Sequence, residues 1–181
     1  DAAKKQGTKV YHLNVGQPDI KSPACALDSI RNFSLENVSY SHSAGLMELR
    51  KGLVEKYYRK IGIDITVDEL IVTVAGSESV NLALEITCNP GDEVIVLEPF
   101  YTNYNTFAFM NGLTLKAIPT DIRNGFQIPP IEEFEKAITD KTKAILVCNP
   151  GNPTGTQYSK ESMLALGEIA RRHDLFLLSD E

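Results

Sequence analysis

Residues 144–179 read AILVC-NPGNPTGTQY-SKESMLALGEIARRH-D-LFLLS, and this stretch decides the fold. Ala144–Cys148 is a short apolar run of strand length. Asn149–Gly155 packs two Asn-Pro pairs and two glycines into seven residues, which fixes a rigid loop. Ser159–His173 reads as a helix and Leu175–Ser179 as a second apolar strand. Strand, crossover helix and strand in that order make a βαβ unit, whose two strands pair in parallel.

Working outward, the same alternation extends upstream. Leu70–Ala75 is a β-branched run expected to be a strand, followed by Gly76 and a helix over Ser77–Thr87. Asn89-Pro90-Gly91-Asp92 is a strong turn signal. Strands are expected at Glu93–Leu97 and Thr114–Pro119, with helices at Thr102–Asn111 and Pro130–Thr139. Before them, Leu46, Leu49, Leu53, Val54 and Tyr57 recur at helical spacing, so Gly45–Ile61 is expected to be a helix with one apolar face. The first residues give a strand-like stretch at Lys9–Val15, a turn at Gly16-Gln17-Pro18-Asp19 and a short amphipathic helix within Ala24–Phe33. The expected class is α/β, a mainly parallel sheet with right-handed crossovers and helices on both faces.

Composition narrows the function classes. A chain of 181 residues suits one ordinary domain and buries a core without disulfides or metal. Its 43% hydrophobic and 23% charged residues exclude an intrinsically disordered chain. A net charge of −6 shows no basic excess, so no nucleic-acid partner is expected. Cys25, Cys88 and Cys148 are odd in number and far apart, and His12, His42 and His173 are scattered. Reduced thiols, no metal site and a cytoplasmic location are the expectation. Apolar runs such as Ala144–Cys148 fall far short of the roughly 20 residues that span a bilayer, so no membrane partner is expected.

In open parallel sheets ligands bind beyond the carboxyl ends of the strands. Gly76-Ser77-Glu78-Ser79 opens a helix there, and small residues at such a junction let N–H groups point at an anion such as phosphate. A plain Gly-Ser helix start is the alternative, and the Glu78 carboxylate has to point away if an anion binds. Pro99-Phe100-Tyr101-Thr102-Asn103-Tyr104 places rings at a strand exit, where Tyr101 could stack on a flat ligand or all three could be core. Asn152 is held in its rigid loop with its amide free to bond a ligand. Asp180 ends an apolar strand, where a carboxylate is costly unless solvated or paired. It is either a loop acid or helix cap, or a partner for a cation.

Five motifs then occur in order: Gly16-Gln17-Pro18-Asp19; Tyr40 with Ala44-Gly45-Leu46 and Leu49-Arg50; Pro99–Tyr104; Asn149–Gly155; and Ser179-Asp180-Glu181. Together they resemble the class I/II aminotransferases, fold type I pyridoxal-phosphate enzymes of the aspartate-aminotransferase kind, from about Tyr11 to Glu181. The resemblance implies pyridoxal 5'-phosphate as cofactor, amino-acid and 2-oxo-acid substrates, and a homodimer. It implies that Gly16 lies in a loop contacting the substrate carboxylate and that Tyr40 reaches the cofactor phosphate of the neighbouring subunit. Gly76, Ser77 and Glu78 would offer backbone N–H groups, and Ser77 its hydroxyl, to the phosphate of their own subunit. Tyr101 would stack on the pyridine ring. Asn152 would bond the phenolic oxygen and serve substrate binding, and Asp180 would pair with the pyridinium nitrogen. Glu78 departs from the small or neutral residue frequent at its position.

The family's Schiff-base lysine, a tyrosine and a carboxylate-gripping arginine would follow Glu181. Lys141, Lys143 and Lys160 do not match the catalytic position. The expectation is therefore an N-terminal fragment, inactive by itself, with an arm and part of a small domain at residues 1–35 and an incomplete cofactor domain at 36–181. Leu70–Ala75 would lack the sheet neighbours supplied later in the chain, and Leu175–Ser179 would be an exposed apolar edge. The expected reaction is amino-group transfer. The same fold also serves β-lyases, aminocyclopropane-carboxylate synthases and regulatory modules, because fold does not fix the bond broken. A nicotinamide-binding domain is disfavoured, since no Gly-x-Gly-x-x-Gly follows a strand.

Overall fold

The structure, a computed structural model, describes residues 2–11, 16 and 18–181. It divides into two compact units, Asp1–Ser41 and His42–Glu181. The first holds the short helix α1 (Ala2–Lys5) and α2 (Ala24–Arg31). α2 starts directly after Pro23, whose fixed φ suits a helix entry, and carries an i,i+3 pair of Asp28 with Arg31 at 3.0 Å. Lys9–Tyr11 is not a strand, and the rest of that expected stretch, His12–Val15, lies outside the described residues, as does Gln17 of the turn.

The second unit is built on a four-stranded sheet, β1 (Glu93–Glu98), β2 (Thr114–Pro119), β3 (Thr142–Cys148) and β4 (Phe176–Asp180). The spatial order is β2-β1-β3-β4 and every pairing is parallel. The connections run through α5 (Asn103–Met110), α6 (Ile131–Ala137) and α7 (Lys160–Arg172). α7 starts where Ser159 accepts a bond from the Ser162 N–H at 3.1 Å, and ends with Arg171 and Arg172 against its negative pole.

Side-chain alternation along the central strands creates two cores. Val94 and Val96 of β1, with Ala144 and Leu146 of β3, face α5 and α4 (Gly76–Thr87), meeting Val80, Leu84 and Phe107. Ile95, Leu97, Ile145 and Val147 face the other way, onto Phe134 of α6 and Leu166 and Ile169 of α7. Each such buried side chain stabilises by roughly 1.5–3 kcal/mol, so burial on both faces defines the sheet. β4 lies at the sheet edge, and its Phe176 is exposed.

Two expectations need correction. Leu70–Ala75 forms no strand, bends at Val74-Ala75 and pairs with none of the four strands. Its backbone groups are claimed instead by a turn and by side chains, described below. The expected helix Gly45–Ile61 is α3 (Met47–Lys56) followed by a 3-10 turn, Tyr58–Ile61, that Gly62 ends at φ 79°. Only part of its expected apolar face is buried, and Leu53 of that face is half-buried. Leu46, Leu49 and Tyr57 are exposed, whereas Val54 and Arg50 are buried.

The two ends of the sheet differ. At the amino end, the Glu93 carboxylate accepts from Thr139 Oγ1 at 2.5 Å and lies 3.6 Å from Lys116 Nζ. The Thr139 bond holds this carboxyl below the usual carboxylate range. The carboxyl end is open, and the polar residues left over from the core gather there.

Candidate active site

The site begins with the segment that enters α4. Arg50 is 3% exposed, donates Nε–H to the Leu70 carbonyl at 3.0 Å and also bonds the Val67 carbonyl. The Val72 N–H donates to the Ala44 carbonyl at 3.0 Å. Gly45 makes that approach feasible, because a Cβ there would sit 2.6 Å from Val72 Cβ, at a φ of +95°. The Thr73 hydroxyl donates to the Ala75 carbonyl at 3.0 Å and lies 2.7 Å from Ser79 Oγ. The Val74 N–H donates to Glu78 Oε2 at 2.6 Å.

These brackets deliver the chain into the first turn of α4. The Glu78 and Ser79 N–H groups donate back to the Ala75 carbonyl at 3.0 and 3.2 Å. The Gly76 and Ser77 N–H groups precede those bonds and stand at the positive pole of the helix. A Cβ added to Gly76 would meet nothing within 4 Å, so the glycine faces open space.

Three strand exits supply the rest. After β1, Tyr104 is 1% exposed and donates its hydroxyl to Asp180 Oδ2 at 2.5 Å. Burial, reinforced by that bond, pushes the Tyr104 phenol far above its ordinary range, so it remains a proton donor at neutral pH. Tyr101 stands edge-on to Tyr104, centroids 5.6 Å apart, and its hydroxyl accepts from Asn103 Nδ2 at 2.8 Å. After β3, the loop bearing Asn152 is closed by Gly151 N–H to the Thr156 carbonyl and Gly155 N–H to the Gly151 carbonyl, both 2.7 Å. Asn149 ties this loop to β4, its N–H reaching the Asp180 carbonyl at 2.9 Å.

The result is a cavity of about 410 Å³ lined by Ala75, Gly76, Ser77, Val80, Tyr101, Phe107, Cys148, Pro150, Asn152, Asp180 and Glu181. That size suits a small-molecule site. Its donor set tests the expected cofactor. N–H groups and a hydroxyl suit a phosphate, an aromatic ring suits a flat heterocycle, an amide suits a phenolic oxygen, and a carboxylate suits a ring cation. The residues present fit pyridoxal 5'-phosphate.

Gly76, Ser77, Tyr101, Asn152 and Asp180 are thus brought to one cavity. Glu78 is beside it with its carboxylate turned onto Val74. Gly16 and Tyr40 belong to the N-terminal unit, where both are exposed. No lysine is among the cavity-lining residues. Sequence reasoning gave no role to Arg50 or Cys148 and did not join Tyr104 to Asp180. The signal for Tyr104 was its place three residues after Tyr101, in the first turn of α5.

Comparison with known proteins gives a family match. Residues 8–181 match the family Aminotransferase class I and II. The aspartate/prephenate aminotransferase of Thermus thermophilus is 37% identical over 98% of this chain and 46% of its own length. The crystal structure of aspartate aminotransferase from Thermotoga maritima superposes with a TM-score of 0.91 at 32% identity, covering 99% of this chain and 48% of that one. Alanine aminotransferase from Pyrococcus furiosus gives a TM-score of 0.88 at 36% identity, over 99% and 47%. The chain therefore spans about half the length of the relatives it matches. A family match over residues 8–181, on a sheet whose open end carries this donor set, makes the chain a member of the class I and II aminotransferases.

Proposed function

We propose that this chain is the N-terminal, cofactor-holding part of a pyridoxal-phosphate-dependent aminotransferase that moves an amino group from an amino acid to a 2-oxo acid. The observation that carries this reading is the single cavity shared by Gly76, Ser77, Tyr101, Asn152 and Asp180. When bound, pyridoxal 5'-phosphate supplies an electron sink for charge developing at the substrate Cα. The chain's own residues hold and orient. Gly76 and Ser77 would receive the phosphate, Tyr101 would stack on the ring, and Asn152 would bond the phenolic oxygen. Tyr104 occupies Asp180 Oδ2 and leaves Oδ1 for the ring nitrogen. A carboxylate there raises the proton affinity of that nitrogen, which deepens the sink.

Tyr40, exposed in the N-terminal unit, is assigned to the phosphate of a partner subunit in a homodimer, and Gly16 to the substrate carboxylate. The nucleophilic lysine is assigned to the part of the family length that this chain does not span, which leaves these 181 residues without transaminase activity by themselves. The N-terminal unit is read as the arm and part of the small domain, the rest as part of the cofactor domain, in a cytoplasmic enzyme. Its described residues include no helix long and apolar enough to cross a membrane.

The test uses the full-length protein with pyridoxal 5'-phosphate, an amino-acid donor and a 2-oxo-acid acceptor. Appearance of the acceptor's amino acid is the expected outcome, with a loss on the order of 100-fold in Asp180→Ala, the scale of removing a group that stabilises charge at the transition state. Release of ammonia in place of transfer would move the reading to β-elimination. A full-length protein that retains no cofactor would overturn it.

A further inference from the structure

We infer that Glu78 is a positioning residue for the cofactor phosphate: its carboxylate latches the Val74 N–H and thereby aims the Gly76 and Ser77 N–H groups into the cavity. This rests on the proposed reading of that cavity.

The segment 70–74 has no sheet partner among the four strands, so its backbone is held group by group. Val72 N–H is taken by the Ala44 carbonyl and Leu70 C=O by Arg50. Two residues after Val72, Val74 N–H has Glu78 Oε2 at 2.6 Å as its acceptor. Val74 directly precedes Ala75, the extended N-cap residue, and Glu78 is the third residue of α4. The bond therefore spans the turn that contains both anion-ready N–H groups. Thr73 and Ser79 join across the same turn at 2.7 Å, but these two neutral hydroxyls do not engage a backbone donor of the segment.

The arrangement also explains a carboxylate beside a phosphate site. Two like charges at a helix start repel, so a free Glu78 would oppose the ligand. Tied to Val74, its charge is directed at the entering segment and away from the cavity, which it does not line. The bond needs an acceptor of this length and does not need the charge. Glutamine keeps the acceptor and removes the repulsion, whereas alanine removes the acceptor.

The experiment measures equilibrium affinity of the full-length protein for pyridoxal 5'-phosphate and for pyridoxal, which lacks the phosphate. It compares wild type, Glu78→Gln and Glu78→Ala, with melting temperature recorded for each. Glu78→Gln is expected to match wild type or bind the phosphate form more tightly. Glu78→Ala is expected to bind it about 5–10-fold more weakly than Glu78→Gln, with pyridoxal affinity equal in the two, the scale of one lost hydrogen bond to a backbone group. Three results would each overturn the inference: Glu78→Ala equal to wild type, the two variants equally weakened, or both ligands weakened in proportion. Wild type failing to retain pyridoxal 5'-phosphate would instead sink the functional reading.

Discussion

Replacing Tyr104 by Phe isolates the one bond that braces Asp180. The ring stays, so the core contacts with Val80 and Phe107 are kept, and only the hydroxyl is lost. That hydroxyl is buried and donates to a carboxylate at 2.5 Å. Hydrogen bonds to charged groups contribute about 1.5–3 kcal/mol. Asp180 is half-buried and recovers part of that from water, which places the expected loss near 1–2 kcal/mol at pH 7. The pH dependence follows from the upward shift of the phenol. Below its unfolded pKa of about 10, both states keep the proton and the loss is constant. Above it, the unfolded Tyr104 ionises while the folded one does not. The folded state then holds more protons, and wild-type stability falls with rising pH by up to about 1.4 kcal/mol per unit from this group. Phe cannot titrate, so the gap between wild type and Tyr104→Phe closes as pH rises from 10 towards 11. Urea unfolding of the full-length proteins at pH 7, 10 and 11 measures this. A gap independent of pH, or Tyr104→Phe as stable as wild type at pH 7, would refute the reasoning.

Two further substitutions probe the brackets around segment 67–75. Gly45→Ala places a Cβ 2.6 Å from Val72 Cβ at a left-handed φ, so a loss above the roughly 1–2 kcal/mol of the backbone cost alone is expected in urea unfolding. Arg50→Lys keeps the charge but loses the fork that reaches both the Leu70 and Val67 carbonyls, and is expected to cost about 1–3 kcal/mol. Its signature is faster hydrogen exchange at the Val72 and Val74 N–H groups. Asp68, 3.7 Å from the guanidinium and with its side chain 90% exposed, contributes little, so Asp68→Asn is expected to be near neutral.

Local signals carried most of the fold. Turn chemistry and apolar run length bounded β2 to the residue and α4 to within one, because a short strand that follows a glycine turn and a helix entered through Gly-Ser are written in adjacent residues. What depended on partners distant in the chain was not legible. A β-branched run at Leu70–Ala75 has strand propensity, but a strand exists only where another strand pairs with it. The leucines of α3 have helical spacing, yet Arg50 is buried on that helix because two carbonyls of the 67–70 segment claim it. At the site, identities were legible and geometry was not. Asp180 was marked by an acid at the end of an apolar strand. Its partner lies 76 residues earlier, and no local pattern encodes that distance.

The charge balance of the cavity gives the Glu78 latch its weight. Pyridoxal phosphate brings a monoester phosphate that carries about −1.5 to −2 at neutral pH. The start of α4 offers the equivalent of about +0.5. Gly76 and Ser77 therefore fix where a phosphate sits more than they offset its charge. In a cradle of N–H groups affinity depends on direction: groups misaimed by a fraction of a turn lose their bonds. A side chain that sets their aim then acts on phosphate affinity. Glu78 can do this as an acid only because its carboxylate is spent on Val74.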